Sequence, residues 1–221
     1  MIPLPPTVGP EEVFAFFNVS RESQVRLRHY ADLLQRWQSR INLIGPETVP
    51  ILWQRHIADG LQLIRFVGTS PRTVIDVGTG AGIPGLVLKL AFPQHRVTLI
   101  ESNTKKAAFL AEAARQGGVD VEILGQRAER VDSDPYRREP PVVTARAVAP
   151  LADLLDMTEK LRDTGTGLFY KGETADDELT DSAVCWRIRY VKHRSIVEPK
   201  GSIIEVLEAR RIHDQHDERG G

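Results

Sequence analysis

Cysteine is nearly missing from this chain. Cys185 stands alone, which rules out an internal disulfide and fits a reducing compartment. No group of Cys and His residues has the spacing of a zinc site, so no metal is expected. A surplus of either charge is lacking too, since 29 Lys and Arg against 30 Asp and Glu leave a formal net charge of −1. Phosphate-binding proteins usually carry a basic excess, so any nucleic-acid surface here must be local. No apolar run reaches the length needed to span a bilayer, and residues 1–10 have neither the basic nor the apolar region of a secretory leader. A cytoplasmic protein without membrane contact is expected.

What is present suffices for one core. With 221 residues, 41% of them apolar and 27% charged, the chain is too short for two ordinary domains. The expected organisation is a helical extension over 1–70 packed on the core, an α/β domain over 71–212 and a polar tail over 213–221. Basic residues gather twice, as Arg21, Arg26, Arg28, Arg36, Arg40 and Arg55, then as Arg187, Arg189, Lys192, Arg194 and Lys200. On charge alone, both read as solvated faces.

Ser20 is an N-cap candidate for a helix on which Leu27, Tyr30, Leu34, Trp37 and Ile41 draw one apolar stripe. Gly45 and Pro46 end it, and a second helix is expected over 48–66, closing at Gly68. From Thr73 the period changes. Strands are expected over 73–77, 97–100, 121–124, 142–145 and 167–170, with helices over 84–91, 105–116 and 150–162. Such alternation gives a parallel sheet covered on both faces. The last two strands, over 187–197 and 202–209, are joined by only four residues, so they must form an antiparallel hairpin.

The segment richest in chemical information is Asp76-Val77-Gly78-Thr79-Gly80-Ala81-Gly82-Ile83-Pro84-Gly85, a glycine-rich turn between a strand and a helix. Glycine lets the backbone turn tightly and lets a ligand approach without Cβ atoms intervening. Glu101 closes the next strand, where a carboxylate can accept hydrogen bonds from both hydroxyls of a ribose. Together they predict a nucleoside-cofactor pocket at the carboxyl ends of the strands. Two frames overlap. Gly80, Gly82 and Gly85 satisfy the dinucleotide pattern of NAD-dependent dehydrogenases. Gly78, Gly80 and Gly82 after an acidic strand end suit an amino-acid tail bearing a sulfonium. The terminal hairpin favours the second frame, that of a methyltransferase. A cofactor-binding RNA module without catalysis is a third reading.

Several short motifs together resemble one family. They are Arg55-His56-Ile57, the turn through Ile83-Pro84-Gly85, Glu101-Ser102-Asn103-Thr104-Lys105-Lys106 with Phe109-Leu110, Arg127-Ala128-Glu129, Val143-Thr144-Ala145-Arg146-Ala147 and Lys171-Gly172. The chain resembles the small-subunit ribosomal RNA methyltransferase G family, also called glucose-inhibited division protein B, from the first long helix to Gly172. The resemblance implies a doubly wound, mostly parallel sheet of the class I S-adenosylmethionine methyltransferase type with a C-terminal antiparallel hairpin and an N-terminal helical extension. It also implies S-adenosylmethionine as cofactor and, as substrate, guanine N7 in 16S rRNA near the decoding centre, presented as rRNA or as the small ribosomal subunit. A monomer is expected.

The matching motifs imply Gly78, Ile83, Ala128, Glu129 and Arg146 as cofactor contacts, with Glu129 reading from its own context as either a solvated helix residue or a neighbour of an adenine. Glu101 joins them on the ribose argument and Gly80 on that of backbone approach. Gly60, Ala58 and Pro140-Pro141 depart from the family's pattern, with no bearing on the cofactor site. No residue is identified as catalytic, and Arg146 reads as an ion-pair partner for a core acid or, with the family motif, as a pocket residue facing a ligand carboxylate or guanine O6. Guanine N7 carries a lone pair and no proton, so its methylation needs no general base. Asp76 reads equally as a cofactor contact or a cap of its turn, His56 as a packing residue, and Cys185 as structural. Lys105 and Lys106 open a helix, a poor place for cations, and read equally as phosphate contacts or as a solvated face.

Overall fold

The computed structural model describes residues 8–212, so the polar tail expected over 213–221 lies outside the described residues. Seven strands form one sheet in the order β3-β2-β1-β4-β5-β7-β6. Strands β1 (Thr73–Val77), β2 (Arg96–Ile100), β3 (Glu122–Leu124), β4 (Val142–Arg146) and β5 (Thr166–Lys171) run parallel. The hairpin β6 (Trp186–Arg194) and β7 (Ser202–Arg211) adds to β5 antiparallel, as its short connection requires.

Alternation along the strands divides the core into two. Val74, Leu168 and Ile203 face one side, which holds Leu27, Leu34, Leu86 and Phe109. Their neighbours Ile75, Phe169 and Ile204 face the other, with Leu155 and Trp186. The first side is covered by α2 (Arg21–Gln38), α5 (Gly85–Ala91) and α6 (Thr104–Gly117), joined by α1 (Pro10–Phe16) at its edge. The second is covered by α7 (Leu151–Met157) and α8 (Ala175–Ser182). Ser20 caps α2 by accepting from the Ser23 amide, and the stripe residues Leu27, Tyr30 and Leu34 are buried as their spacing predicts.

Several details differ from the sequence expectation. Helix α2 ends at Gln38, before Ile41 and well short of Gly45 and Pro46, and β6 stops at Arg194, leaving seven residues before β7. The single helix expected over 48–66 is instead a 3₁₀ turn (Pro46–Ile51), a π turn (Trp53–Ala58), α3 (Asp59–Leu61) and α4 (Ile64–Val67), closed by Gly68 at φ 73°. Pro50 interrupts the first turn. Helix α7 stops at Met157, and Arg162 turns back to donate to Thr158 Oγ1 at 2.8 Å and to the Leu155 carbonyl at 3.0 Å. Helix α8 was not expected at all. Only Ala175, Leu179 and Ser182 of its eight residues are buried, too few to show a period, although Asp176, Asp177 and Glu178 in its first turn are an N-terminal signature. Among the described residues no helix is long and apolar enough to cross a membrane.

Candidate active site

The glycine turn leaves β1 between the carboxyl ends of β2 and β4, where the strand order reverses direction. In an open α/β sheet this is the point at which a crevice forms. Gly78, Gly80 and Gly82 have φ values of 61°, 58° and 88°, all in the region that disfavours side chains. Their surroundings differ. A Cβ on Gly82 would lie 2.6 Å from Leu86 Cβ, whereas one on Gly80 would meet only the Gly78 carbonyl oxygen at 3.9 Å. Gly82 is therefore packed against the core, and Gly80 presents bare backbone to open space.

Three side chains hold the turn. Tyr30 of α2 donates its hydroxyl to the Ala81 carbonyl at 2.6 Å, and burial raises its pKa, which keeps it a donor. The buried Glu101 accepts from the Gly80 amide at 3.0 Å through one oxygen and from the Asn103 amide at 2.8 Å through the other. Asp76 is fully buried beneath the turn, where its Oδ2 accepts from Thr79 Oγ1 at 2.5 Å and from the Gly85 amide at 2.8 Å. Its Oδ1 has no partner. Asp76 is thus an internal staple of the turn.

Burial pushes the Asp76 pKa from the usual 3.8 up to about 7, against the pull of Thr79, Gly85 and Arg146. A carboxyl whose folded pKa is raised contributes stability below its unfolded pKa and loses it as pH rises through the folded value. Asp76 should therefore remove stability between about pH 4 and 7, by up to about 1.4 kcal/mol per pH unit, while His56, whose folded pKa lies near 3, adds stability as pH rises toward its unfolded 6.5. The two slopes oppose, so in thermal melts Asp76→Asn should gain stability relative to the parent as pH rises through this window. A difference between parent and variant that does not change with pH would show that Asp76 does not titrate there.

The second cluster joins the helical extension to β4. Arg146 Nε donates to Asp59 Oδ2 at 2.5 Å, and one Nη donates to the Arg55 carbonyl at 3.0 Å. The other Nη lies 3.4 Å from His56 Nδ1, which must therefore be the unprotonated ring nitrogen. His56 Nε2–H then donates to Thr48 Oγ1 at 2.7 Å, and the Thr48 hydroxyl donates to the Gly45 carbonyl at 2.7 Å. Burial, with Arg146 and Arg55 nearby, lowers the His56 pKa to about 3, so the ring is neutral and its lone pair faces a cation. Asp59 Oδ1 accepts from Gln62 Nε2 at 2.5 Å, and Gln62 Oε1 accepts from the Ile196 amide at 3.2 Å.

Between the turn and this cluster lies a cleft of about 450 Å³, within the usual range of small-molecule sites. Gly78, Gly80, Ile83 and Arg146 line it, together with Lys106 and Tyr170. Tyr170 stands beside Arg146 in the β4–β5 register, and burial raises the pKa of its unpartnered hydroxyl. Glu101 lies behind Gly80 at the β2 edge. Ala128 is buried in a 3₁₀ turn after β3. Glu129 is exposed and borders a separate groove with Arg137 and Lys160, so its side chain is not brought to the cleft.

Asp59 and Gln62 were missed in the sequence, as was the anchoring role of Tyr30. The available signal was a carboxylate four residues after Arg55 within the apolar stretch Ile57, Ala58 and Leu61. The residues present fit a nucleoside cofactor. Gly80 offers unobstructed backbone, and the Glu101 oxygens each accept only one hydrogen bond in the structure.

Comparison with known proteins places this geometry. Residues 23–207 match the family model described as rRNA small subunit methyltransferase G. The match runs through the hairpin, farther than the motif resemblance, which ended at Gly172. A protein named ribosomal RNA small subunit methyltransferase G from Paramagnetospirillum magneticum is 45% identical over 205 residues, covering 92% of this chain and 98% of the relative. One of the same name from Gluconobacter oxydans is 40% identical, covering 88% and 98%. Among solved structures, a ribosomal protein L11 methylase from Lactobacillus delbrueckii subsp. bulgaricus is similar with a TM-score of 0.51 and 18% identity, covering 72% of this chain and 79% of that one. At that identity the likeness speaks for the fold alone.

Proposed function

This chain belongs to the rRNA small subunit methyltransferase G family, and from that premise we propose that it methylates N7 of one guanine in 16S rRNA near the decoding centre. S-adenosylmethionine is its cofactor and supplies, when bound, an electrophilic methyl group. The dehydrogenase reading of the overlapping glycine frame is not favoured, and neither is the non-catalytic module. We further propose a monomer acting in the cytoplasm, in which 1–70 is an extension that walls the cleft and 71–212 is the transfer domain.

One observation carries the chemistry: the buried His56 and Asp59 of the cleft wall are both bound to Arg146, Glu198 pairs with Arg55, and the remaining lining carboxylate, Glu47, is exposed to solvent. The His56 lone pair is turned to Arg146, and its low pKa keeps it neutral. Cys185 is exposed, and the cleft lining does not include it. That suits an acceptor such as N7, which has no proton to lose. The chain's contribution is then positioning, with rigid walls holding acceptor and methyl in line. In this reading Glu101 receives the ribose hydroxyls and the backbone at Gly78 and Gly80 carries the amino-acid tail. Ile83 packs beside the tail, and the turn after β3 flanks the adenine through Ala128 and the Glu129 backbone, the Glu129 side chain pointing to the other groove. Arg146 reaches the ligand with the N–H groups left free by Asp59 and Arg55.

Methyl label from S-adenosylmethionine should enter bacterial small-subunit RNA at a single guanine N7, detected by reductive strand scission at the cationic ring. Label in protein or a small metabolite, or at a carbon or exocyclic nitrogen of RNA, would refute the N7 assignment.

A further inference from the structure

The two basic stretches of the sequence differ in how far the fold neutralises them. In the second, Arg189, Lys192 and Lys200 are ion-paired with Glu208, Asp176 and Glu173. In the first, Arg26, Arg28 and Arg55 are paired with Glu22, Glu11 and Asp59. Arg36 and Arg40, at the carboxyl end of α2, have no ion-pair partner among the described residues and are exposed. Lys105 and Lys106, in the first turn of α6, have none either.

These four cations belong to one rim. Trp37 packs edge-on against Phe109, ring centroids 5.7 Å apart, which joins the end of α2 to α6. Arg36 and Arg40 flank Trp37, and Lys105 lies one turn before Phe109. Helix α2 leads into Leu43, Ile44 and Gly45, which line the cleft, as does Lys106. Arg21, by contrast, is at the other end of this 18-residue helix, about 27 Å away at 1.5 Å per residue.

Helix electrostatics accounts for Arg36 and Arg40, because cations suit a carboxyl end. It does not account for Lys105 and Lys106, which oppose the dipole of α6 at a cost of about 0.3–1 kcal/mol each. Asn103 caps that helix by accepting from the amides of both lysines, so their charges add nothing to the cap.

We propose that Arg36, Arg40, Lys105 and Lys106 form the phosphate-docking rim of the cleft, over which the RNA strand carrying the target base enters. The proposal rests on the reading of the chain as an RNA methyltransferase. Arg36, Arg40 and Lys105 are exposed and Lys106 half-buried, and the four are spread over two helix ends, so they track a backbone without reading bases. Affinity gained this way releases counterions, about 0.7 units of log–log salt slope per phosphate contact on a single strand and about 0.9 on a duplex.

Binding of a small-subunit RNA transcript should be titrated between roughly 50 and 200 mM KCl. In Arg36→Gln/Arg40→Gln/Lys105→Gln/Lys106→Gln the slope should fall by roughly 3 units, with the melting temperature close to the parent's. Arg189→Gln/Lys192→Gln, on the paired hairpin, should keep the parental slope. A quadruple variant with the parental slope overturns the proposal, as does a larger loss in Arg187→Gln/Arg194→Gln, two hairpin cations that also have no ion-pair partner among the described residues. A parent protein that neither binds nor labels the transcript would refute the RNA reading itself, a separate outcome.

Discussion

Gly80→Val is expected to abolish S-adenosylhomocysteine binding, raising Kd by about 100-fold or more, equivalent to about 2.7 kcal/mol, while the protein stays folded. Gly80 has φ 58°, and a Cβ there meets only the Gly78 carbonyl oxygen at 3.9 Å. A side chain at this position crowds no core atom. Its cost to the fold is conformational, about 1–2 kcal/mol for a left-handed residue, which a domain with the usual 5–15 kcal/mol of stability tolerates. Its cost to the ligand is steric, because it occupies the one stretch of the turn that presents open backbone. It also disturbs the Gly80 amide, which fixes Glu101 at 3.0 Å.

Gly82→Ala is the contrasting variant. Its Cβ would fall 2.6 Å from Leu86 Cβ and 3.0 Å from Leu110 Cδ2, adding about 1–3 kcal/mol of overpacking to the same left-handed strain. Calorimetric titration and thermal melts should therefore separate the pair, with ligand lost at Gly80 and stability lost at Gly82. A folded Gly80→Val protein with parental affinity would mean that the turn is structural only.

The same pair marks what could be read from the sequence. Strand, glycine turn and helix follow from local pattern, as do the hairpin and the alternation that makes β1 to β5 parallel, because period and turn chemistry are local properties. Which glycine is packed and which is open depends on Leu86 and Leu110 approaching from two helices. No local pattern encodes that. The 48–66 segment failed for a related reason. Its apolar period was read as one helix, yet Pro50 breaks it, and Gly60 lets α3 approach α5 so closely that a Cβ would lie 3.0 Å from Val87. Arg146 was found through its motif, but its partner was not, since Asp59 is 87 residues away in the chain. Glu129 was placed by its motif too, and the fold turns its side chain out to another groove.

Arg146→Ala should then be the most damaging single change to both stability and transfer. Asp59 is 4% exposed in its side chain and Arg146 13%, so truncating the arginine strands a buried carboxylate. Breaking such a pair from one side costs about 3–5 kcal/mol. Arg55 remains 3.6 Å from Asp59 Oδ2 and Gln62 still donates to Oδ1, so the lower end, about 3 kcal/mol, is expected. For a protein of this size that is roughly 6–12 °C in Tm.

The loss should propagate, because Arg146 also holds the Arg55 carbonyl and the His56 ring, and through Thr48 the cleft wall at Gly45. Methyl transfer should fall about 100-fold or more, since a wall displaced by about 1 Å can cost that much. Arg146→Lys should rescue little, because one ammonium cannot direct bonds to Asp59, Arg55 and His56 together. Adding Asp59→Asn should restore part of the stability and little of the transfer, with a coupling energy between about 0.5 and 3 kcal/mol. Melts of the two single variants and the double variant give this coupling directly. Additive losses would show that Arg146 and Asp59 act independently, and parental Tm in Arg146→Ala would show that the cluster does not clamp the extension to the sheet.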